Sequence, residues 1–183
     1  MSIAHRVLTD EGLYRQRYIE LSCRKLGGNR LAPLPQVPKL KEGEAEPYRL
    51  RPVVEADLPF VRALDDYAAQ RSLVACPRDE TMWRYEFTGK SADNVNRLEW
   101  RVLQSAEGRA IGLIGYFALG LWGNNLGIQY LELLPGVSWL ATAPSILRGL
   151  QAEGEALAAR TNKTLKFLQF SLGTEHPFYD VTR

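Results

Sequence analysis

The sequence is poor in the residues that build disulfide frameworks and metal sites: it has two cysteines, two histidines and two methionines in 183 residues. Cys23 and Cys76 lie far apart and form no C-x-x-C pair, which is typical of a reducing compartment. His5 and His176 have no cysteine or histidine at ligand spacing, so no metal site is expected. The start MSIAHRVLTDEG lacks the apolar core of a signal peptide. We therefore expect a cytoplasmic protein without a bound metal.

Charge of one sign is also scarce, because the net charge is only +2. Residues 1–52 contain ten Lys and Arg against six Asp and Glu, an excess of +4 that leaves −2 for the remainder. A nucleic-acid-binding domain normally carries a dense basic face or a recognisable motif, and this sequence has neither. No nucleic-acid partner is expected.

The longest stretch without charge runs from Ala110 to Leu131, which is long enough to cross a bilayer. Five glycines interrupt it, Asn124, Asn125 and Gln129 add polar groups, and basic residues do not flank both ends. Two strands joined by a Gly/Asn turn explain it better, so no membrane partner is expected.

Proline is concentrated in LAPLPQVPKLKEGEAEP, residues 31–47, which predicts a semi-extended linker without regular structure. Residues 1–30 before it are too few to fold alone. Residues 48–183 are expected to form the main domain.

The hydrophobic pattern of the main domain predicts alternating strands and helices. Strands are expected at 48–53, on both sides of a hairpin turn at Glu107–Gly108, at 128–134 and at 164–173. Helices are expected at 55–70, from the N-cap Asp79 to Gly89, and from about Ser145 to Arg160. This order gives an α+β domain, sandwich-like, with a mixed sheet flanked by helices.

The stretches YRLRPVVEADLPFVRAL and FSLGTEHPFYDV, with the hairpin, strand and helix between them, resemble a Gcn5-related N-acetyltransferase (GNAT) domain. The resemblance covers about residues 48–180 and implies a mainly antiparallel mixed sheet. GLYRQRYIEL, RSLVACPRDETMWRYEF and PGVSWL are also similar to tandem proteins of the enhanced-intracellular-survival type. By that likeness, residues 1–30 are a remnant of a preceding acetyltransferase-like domain and residues 48–183 are the second such domain.

The resemblance further implies that the fold continues beyond Arg183, so that the chain as given is truncated at its C-terminus. A truncated sheet exposes a strand edge, and exposed edges associate. We therefore expect a homo-oligomer or docking against flanking domains.

Acetyl-CoA is the cofactor that the resemblance implies, held by a strand splayed from its neighbour and by a loop at a helix N-terminus, typically Arg/Gln-x-x-Gly-x-Gly/Ala. It places Leu134, Arg148 and Gly149 at cofactor-binding positions. Counting from Arg148, the loop glycines fall on Gln151 and Glu153, and the carboxylate of Glu153 would repel phosphates. Acetyl-CoA binding by this chain is therefore doubtful.

Two residues are catalytic candidates by the same resemblance. Glu132 stands where a carboxylate base deprotonates the acceptor amine, and Tyr179 where a tyrosine protonates the departing thiolate. Structural alternatives are that Glu132 ends a strand in solvent and that Tyr179 is a core aromatic with a bonded hydroxyl. His176, before Pro177, is expected to fix a turn.

Three hypotheses follow. The chain is part of an acetyl-CoA-dependent N-acetyltransferase with an unknown amine acceptor, in which this domain supplies packing or acceptor-site walls. Alternatively, it is a catalytically silent interaction or scaffold module. A third possibility is a live acetyltransferase with an unusual cofactor loop.

Overall fold

A computed structural model describes Leu34 and residues 37–71, 75–172 and 176–182. The predicted remnant at residues 1–30, with His5 and Cys23, lies outside the described residues. The described elements are β1 Tyr48–Pro52, a 3₁₀ turn Glu55–Asp57, α1 Leu58–Gln70, α2 Glu80–Arg84 with a π turn Tyr85–Gly89, β2 Leu98–Ser105, β3 Ala110–Phe117, β4 Asn125–Leu133, α3 Trp139–Arg160, β5 Phe167–Phe170 and α4 Phe178–Val181.

The five strands form one sheet in the order β1-β2-β3-β4-β5. The first four pair antiparallel, and β5 pairs parallel to β4 after the crossover through α3. The predicted mixed, mainly antiparallel sheet is therefore confirmed. The uncharged stretch from Ala110 forms β3 and most of β4, and no helix of the described residues is long and apolar enough to span a membrane.

Helices cover both faces of this sheet. On one face, Trp83 of α2 is fully buried beside Trp100 of β2, with their ring centroids 5.1 Å apart. On the other face, Ile146 and Leu150 of α3 pack fully buried into the larger core. Each face thus buries one apolar side of the strands, which is the usual stabilising arrangement of an α+β domain.

The helix α3 begins at Trp139, so the predicted start near Ser145 was wrong. Ser138 caps it, and the Ser138 hydroxyl accepts a hydrogen bond from the Ala141 amide. Pro144 lies inside the helix, where it cannot donate to the Leu140 carbonyl. The Leu140 side chain is 70% exposed, so water can reach this part of the helix and offset the missing bond. The cap and the helix propensity of the neighbouring residues outweigh the proline.

Gly149 lets α3 lie close to β1. A Cβ atom at this position would stand 2.8 Å from Cγ and Cδ1 of Leu50. We expect Gly149→Ala to lower the free energy of unfolding by about 1–2 kcal/mol, because overpacking outweighs the gain of about 1 kcal/mol in helix propensity. Urea unfolding measures this change in the free energy of unfolding. Ala152→Gly, on the exposed side of the same helix, is the control that gives the contribution of helix propensity alone. A stabilised Gly149→Ala chain would contradict the close approach.

Candidate functional site

A β-bulge in β4 at Gln129 organises the candidate site. Tyr116 pairs with Ile128 and Gly115 pairs with Tyr130, so Gln129 is the extra residue on β4. The side chains facing the α3 core are accordingly at even positions before the bulge and at odd positions after it: Leu126, Ile128, Leu131 and Leu133. Bulges re-aim side chains and backbone groups next to functional sites. Here the bulge also changes which carbonyl groups face β5.

An opening between β4 and β5 starts just beyond the bulge. The last pairing of the two strands is Ile128 with Phe170, followed by a hydrogen bond from the Ser171 amide to the Ile128 carbonyl. β4 continues to Leu133 while β5 ends at Phe170. The Leu131 carbonyl therefore faces a space that β5 does not fill. This is the splayed pair of strands that the sequence resemblance implied.

The imidazole of His176 occupies this opening. Its Nε2 lies 2.8 Å from the Leu131 carbonyl oxygen, and its Nδ1 accepts a hydrogen bond from the Phe178 amide at 3.2 Å. The ring packs edge-on against Trp139, with centroids 5.1 Å apart. These contacts require a neutral ring with the proton on Nε2. The contact with Phe178 also fixes the turn into α4, as expected for this histidine.

The pKa of His176 supports the neutral form. Burial lowers it to about 4, against the opposing effect of the hydrogen bond to the Leu131 carbonyl, and the nearby Arg71 lowers it further. The side chain is 8% exposed. At neutral pH the imidazole is therefore an uncharged donor held inside the opening.

Glu132, the predicted catalytic base, lies on the opposite face of β4 from Leu131. Its side chain is only 13% exposed and forms an ion pair with Arg71, which follows α1. The His176 Nε2 stands 3.9 Å from a Glu132 carboxylate oxygen. Burial raises the pKa of Glu132, and Arg71 opposes that rise. The alternative that Glu132 simply ends the strand in solvent is wrong, because Arg71 covers it.

A second ion pair lies on the same face, beside Glu132. Arg78 contacts the Asp65 carboxylate at 3.1 Å, and the Tyr130 hydroxyl donates to the same carboxylate oxygen at 3.3 Å. Burial raises the pKa of Asp65, with Arg78 opposing. Two buried carboxylates thus line the end of β4, each matched by one guanidinium group.

Tyr179, the predicted acid, is 5% exposed and caps the other edge of β5. Its hydroxyl donates to the Phe170 carbonyl and accepts from the Leu172 amide, both at 3.1 Å. Because the Ser171 amide points to β4, the backbone groups of Phe170 and Leu172 point away from β4. The hydroxyl thus makes the two hydrogen bonds that a residue of a further neighbouring strand would make with β5. The core-aromatic alternative describes this position, in which the ring packs edge-on beside the His176 imidazole and the hydroxyl is bonded to the β5 backbone.

The turn before α3 comprises residues 134–138. The Leu134 amide donates to the Ile111 carbonyl at 2.8 Å, and the Val137 amide donates to the Leu134 carbonyl at 3.1 Å. Gly136 has φ +81°, the left-handed conformation that a type II turn after Pro135 requires. Of the predicted cofactor residues, only Leu134 lies in this turn, and its amide is bonded to β3.

Arg148 and Gly149 lie in the third turn of α3, away from its N-terminus. The Arg148 guanidinium contacts both carboxylate oxygens of Glu46, at 2.7 and 2.6 Å, and donates to the Pro38 carbonyl. Gln151 is twelve residues into the helix, about 18 Å along its axis. The motif count from Arg148 was therefore displaced, because α3 begins earlier than predicted.

Glu153 does not approach the helix N-terminus either. The Arg101 guanidinium of β2 forms a bidentate ion pair with the Glu153 carboxylate, at 2.6 and 3.0 Å. The Tyr116 hydroxyl donates to the same carboxylate at 2.7 Å. Burial would raise the pKa of Glu153, but Arg101 and Tyr116 outweigh burial and lower it. The predicted repulsion between Glu153 and bound phosphates has no basis in this position.

We expect Arg148→Ala to lower the free energy of unfolding by about 1–2 kcal/mol, since it leaves a partly buried Glu46 without its two-pronged partner. Glu46→Ala should cost a similar amount, and the double variant less than the sum of the two. Chemical denaturation measures all three. The control Arg62→Ala removes an exposed pair with Glu80 and should change little. If Arg148→Ala lowered the free energy of unfolding no more than Arg62→Ala does, the contact with Glu46 would contribute nothing to stability.

No family model matches the chain, and no curated protein sequence matches it. Several solved structures, however, are similar to the chain. Spermidine N-acetyltransferase from Vibrio cholerae, in complex with CoA and spermine, is similar with a TM-score of 0.51 and 14% identity, over 63% of this chain and 68% of that chain. The chain has the GNAT fold.

Other solved structures are less similar. A possible acetyltransferase from Clostridium difficile 630 has a TM-score of 0.46 and 13% identity, over 72% of this chain and 84% of that chain. A putative phosphinothricin N-acetyltransferase has a TM-score of 0.42 and 15% identity, over 58% and 68%. The Vibrio cholerae structure and the mixed five-strand sheet with its helices support the GNAT fold. The likeness to tandem proteins stays a prediction.

Within the GNAT fold, the structure brings Glu132, Arg71 and His176 together at the end of β4. The Tyr179 ring lies beside His176, but its hydroxyl is bonded to β5, and Arg148 and Gly149 lie elsewhere. Sequence reasoning missed the Gln129 bulge, although the shift of large apolar residues from even to odd positions in NLGIQYLEL indicates it. Arg71 and Arg78 both pair with carboxylates. Among the described residues, no three His, Cys, Asp or Glu side chains are grouped to hold a metal ion.

Proposed function

We propose that the chain is a GNAT-fold domain of an acetyl-CoA-dependent N-acetyltransferase, and that it supplies packing or acceptor-site walls while transferring no acetyl group itself. The observation that carries this proposal is the hydrogen bond from His176 to the Leu131 carbonyl. An extended cofactor paired with β4 would need this strand edge, and the chain's own imidazole is already bonded to it.

The states of the catalytic candidates support the proposal. A general base must be able to accept the proton of the amine, and the Glu132 carboxylate is engaged by Arg71. A general acid must reach the leaving group, whereas the Tyr179 hydroxyl is bonded to the β5 backbone on the far edge. Neither group is free to take the role that the resemblance implied.

The acceptor-site role has its own support on the α1 face of β4. There Asp65, Glu132 and Tyr130 present carboxylate and phenol oxygens next to the guanidinium groups of Arg71 and Arg78. Paired charges of this kind can orient an amine that enters from a neighbouring domain. The amine itself is not specified by these contacts.

Acetyl transfer by this domain is the second candidate, favoured by the raised pKa of the buried Glu132 at the end of β4. A thiol-release assay separates the two. With acetyl-CoA and a panel of primary amines, the proposal expects no CoA release above the amine-free background, and no difference between the wild-type chain and Glu132→Gln. Release by the wild type that is lost in Glu132→Gln would establish the second candidate.

A further inference from the structure

The imidazole of His176 is built into the opening by contacts on three sides. It donates to the Leu131 carbonyl, accepts from the Phe178 amide and packs edge-on against Trp139. With its side chain 8% exposed, the ring occupies the opening beside β4 and lies against Trp139 at the start of α3. Any extended molecule that pairs with this part of β4 must first displace it.

The ring can move without unfolding the segment that carries it. The remainder of the segment is anchored separately, by Phe178 in the core beside Phe170 and by Tyr179 on the far edge of β5. Rotation of the His176 side chain breaks the contacts of the imidazole, including the hydrogen bond from the Phe178 amide, and leaves the Phe178 ring on Phe170 and the Tyr179 hydroxyl on β5. The Leu131 carbonyl would then be free on a strand edge, where amide N–H groups of an extended ligand bind.

We infer that His176 is an autoinhibitory contact, an internal occupant of the β4 edge that keeps the opening closed to coenzyme A and its acyl derivatives. This inference rests on the proposed function, since it gives the reason why a GNAT-fold chain would not load the cofactor. It also adds a regulatory consequence. Whatever withdraws His176 from Leu131 makes the opening available for binding.

The test is a calorimetric titration of coenzyme A into the wild-type chain and into His176→Ala. The wild type should bind at about millimolar or weaker, and His176→Ala at least tenfold more tightly. His176→Gln is the matched control, because its side-chain amide can still donate to Leu131 and should keep the weak affinity. Free imidazole, added to His176→Ala, should compete with coenzyme A. Equal affinity of all three chains would overturn the inference.

A second measurement uses the wild-type chain and covers the case in which His176→Ala does not fold. The sequence has only two histidines, so the His176 imidazole signals can be assigned by NMR with a His5→Ala variant. At high coenzyme A concentration, the Nε2–H signal of His176 should shift or exchange as the ligand binds. Saturation with coenzyme A while that signal stays unchanged would overturn the inference.

The outcomes distinguish this inference from the proposed function. Tight binding by the wild type, with acetyl transfer, would remove the proposed function together with the inference. Weak binding by the wild type and by a folded His176→Ala would leave the proposed function standing and reject the role of His176 alone.

Discussion

Between pH 6.5 and pH 4, the chain is expected to lose about 3 kcal/mol of unfolding free energy through His176 alone. Burial lowers the pKa of His176 from 6.5 in the unfolded chain to about 4 in the folded chain. Above pH 6.5 the ring is neutral in both states and the stability is complete. As the pH falls, the unfolded chain binds a proton that the folded chain does not, so stability declines until the pH reaches the folded pKa.

The surroundings of His176 explain why its pKa is lowered. Trp139 and Tyr179 face the ring with aromatic surfaces, Arg71 contributes a positive charge, and among the described residues the Glu132 carboxylate stands 3.9 Å away. Because Arg71 is paired with Glu132, the carboxylate cannot fully compensate an imidazolium ion. Protonation would also disrupt the hydrogen bond that the Phe178 amide donates to Nδ1.

The measurement is the free energy of unfolding by urea at pH steps from 7.5 to 4, for the wild type and for His176→Gln. Carboxylates titrate in both chains, so the difference between the two curves isolates the imidazole. Toward pH 4 the wild type should lose about 3 kcal/mol of unfolding free energy relative to His176→Gln, so the value for the wild type minus the value for the variant falls by that amount. Parallel curves would show that the ring is solvated in the folded chain and does not lie in the opening.

Tyr179→Ala is expected to destabilise the chain by about 3–5 kcal/mol, the range for removing a buried aromatic side chain. The substitution empties a core position that is 5% exposed and uncaps both the Phe170 carbonyl and the Leu172 amide. Tyr179→Phe keeps the ring and removes only the hydroxyl. It should cost about 1–3 kcal/mol, since two backbone groups of a strand edge lose their partner.

Thermal and urea unfolding of both variants measure these losses. Tyr85→Ala is the control, because that tyrosine is 54% exposed and should cost far less. An exposed strand edge also favours association, so light scattering should report more self-association for Tyr179→Ala than for the wild type. Wild-type stability of Tyr179→Phe would contradict the capping of β5 by the hydroxyl.

Local pattern was sufficient to predict most strands and helices, whereas the mainly antiparallel pairing was implied by the resemblance. The alternation in Tyr48–Pro52, the turn at Glu107–Gly108 and the cap at Asp79 each depend on neighbours a few residues apart, and all three appear as predicted. The predicted start of α3 was wrong, because the apolar positions used for it begin at Ile146 while the Ser138 cap starts the helix at Trp139.

The candidate site was less predictable because its contacts span long distances in sequence. Arg71 and Glu132 are 61 residues apart, and Arg148 and Glu46 are 102 apart. Neither pairing can be read from local pattern, since the sheet topology and the crossover helix bring the partners together. Arg148 was expected to meet phosphates because its residue type matched a motif, whereas in the fold its nearest partner is a carboxylate.

Aromatic residues show the same limit. The general tendency of large aromatic side chains to be buried holds for Trp83 and Trp100, which lie in the core. Trp122 is 77% exposed at the β3–β4 turn, where it stacks on Phe117. Hydrophobicity predicts burial on average, but a residue in a hairpin tip has no second layer to cover it.

The most direct test of the central claim, that the opening of this GNAT-fold chain is held closed by its own residues, is a calorimetric titration of the wild-type chain with acetyl-CoA at moderate salt. The account predicts a dissociation constant of about millimolar or weaker, equivalent to only about 4 kcal/mol. A low-micromolar dissociation constant in the wild-type chain would contradict it.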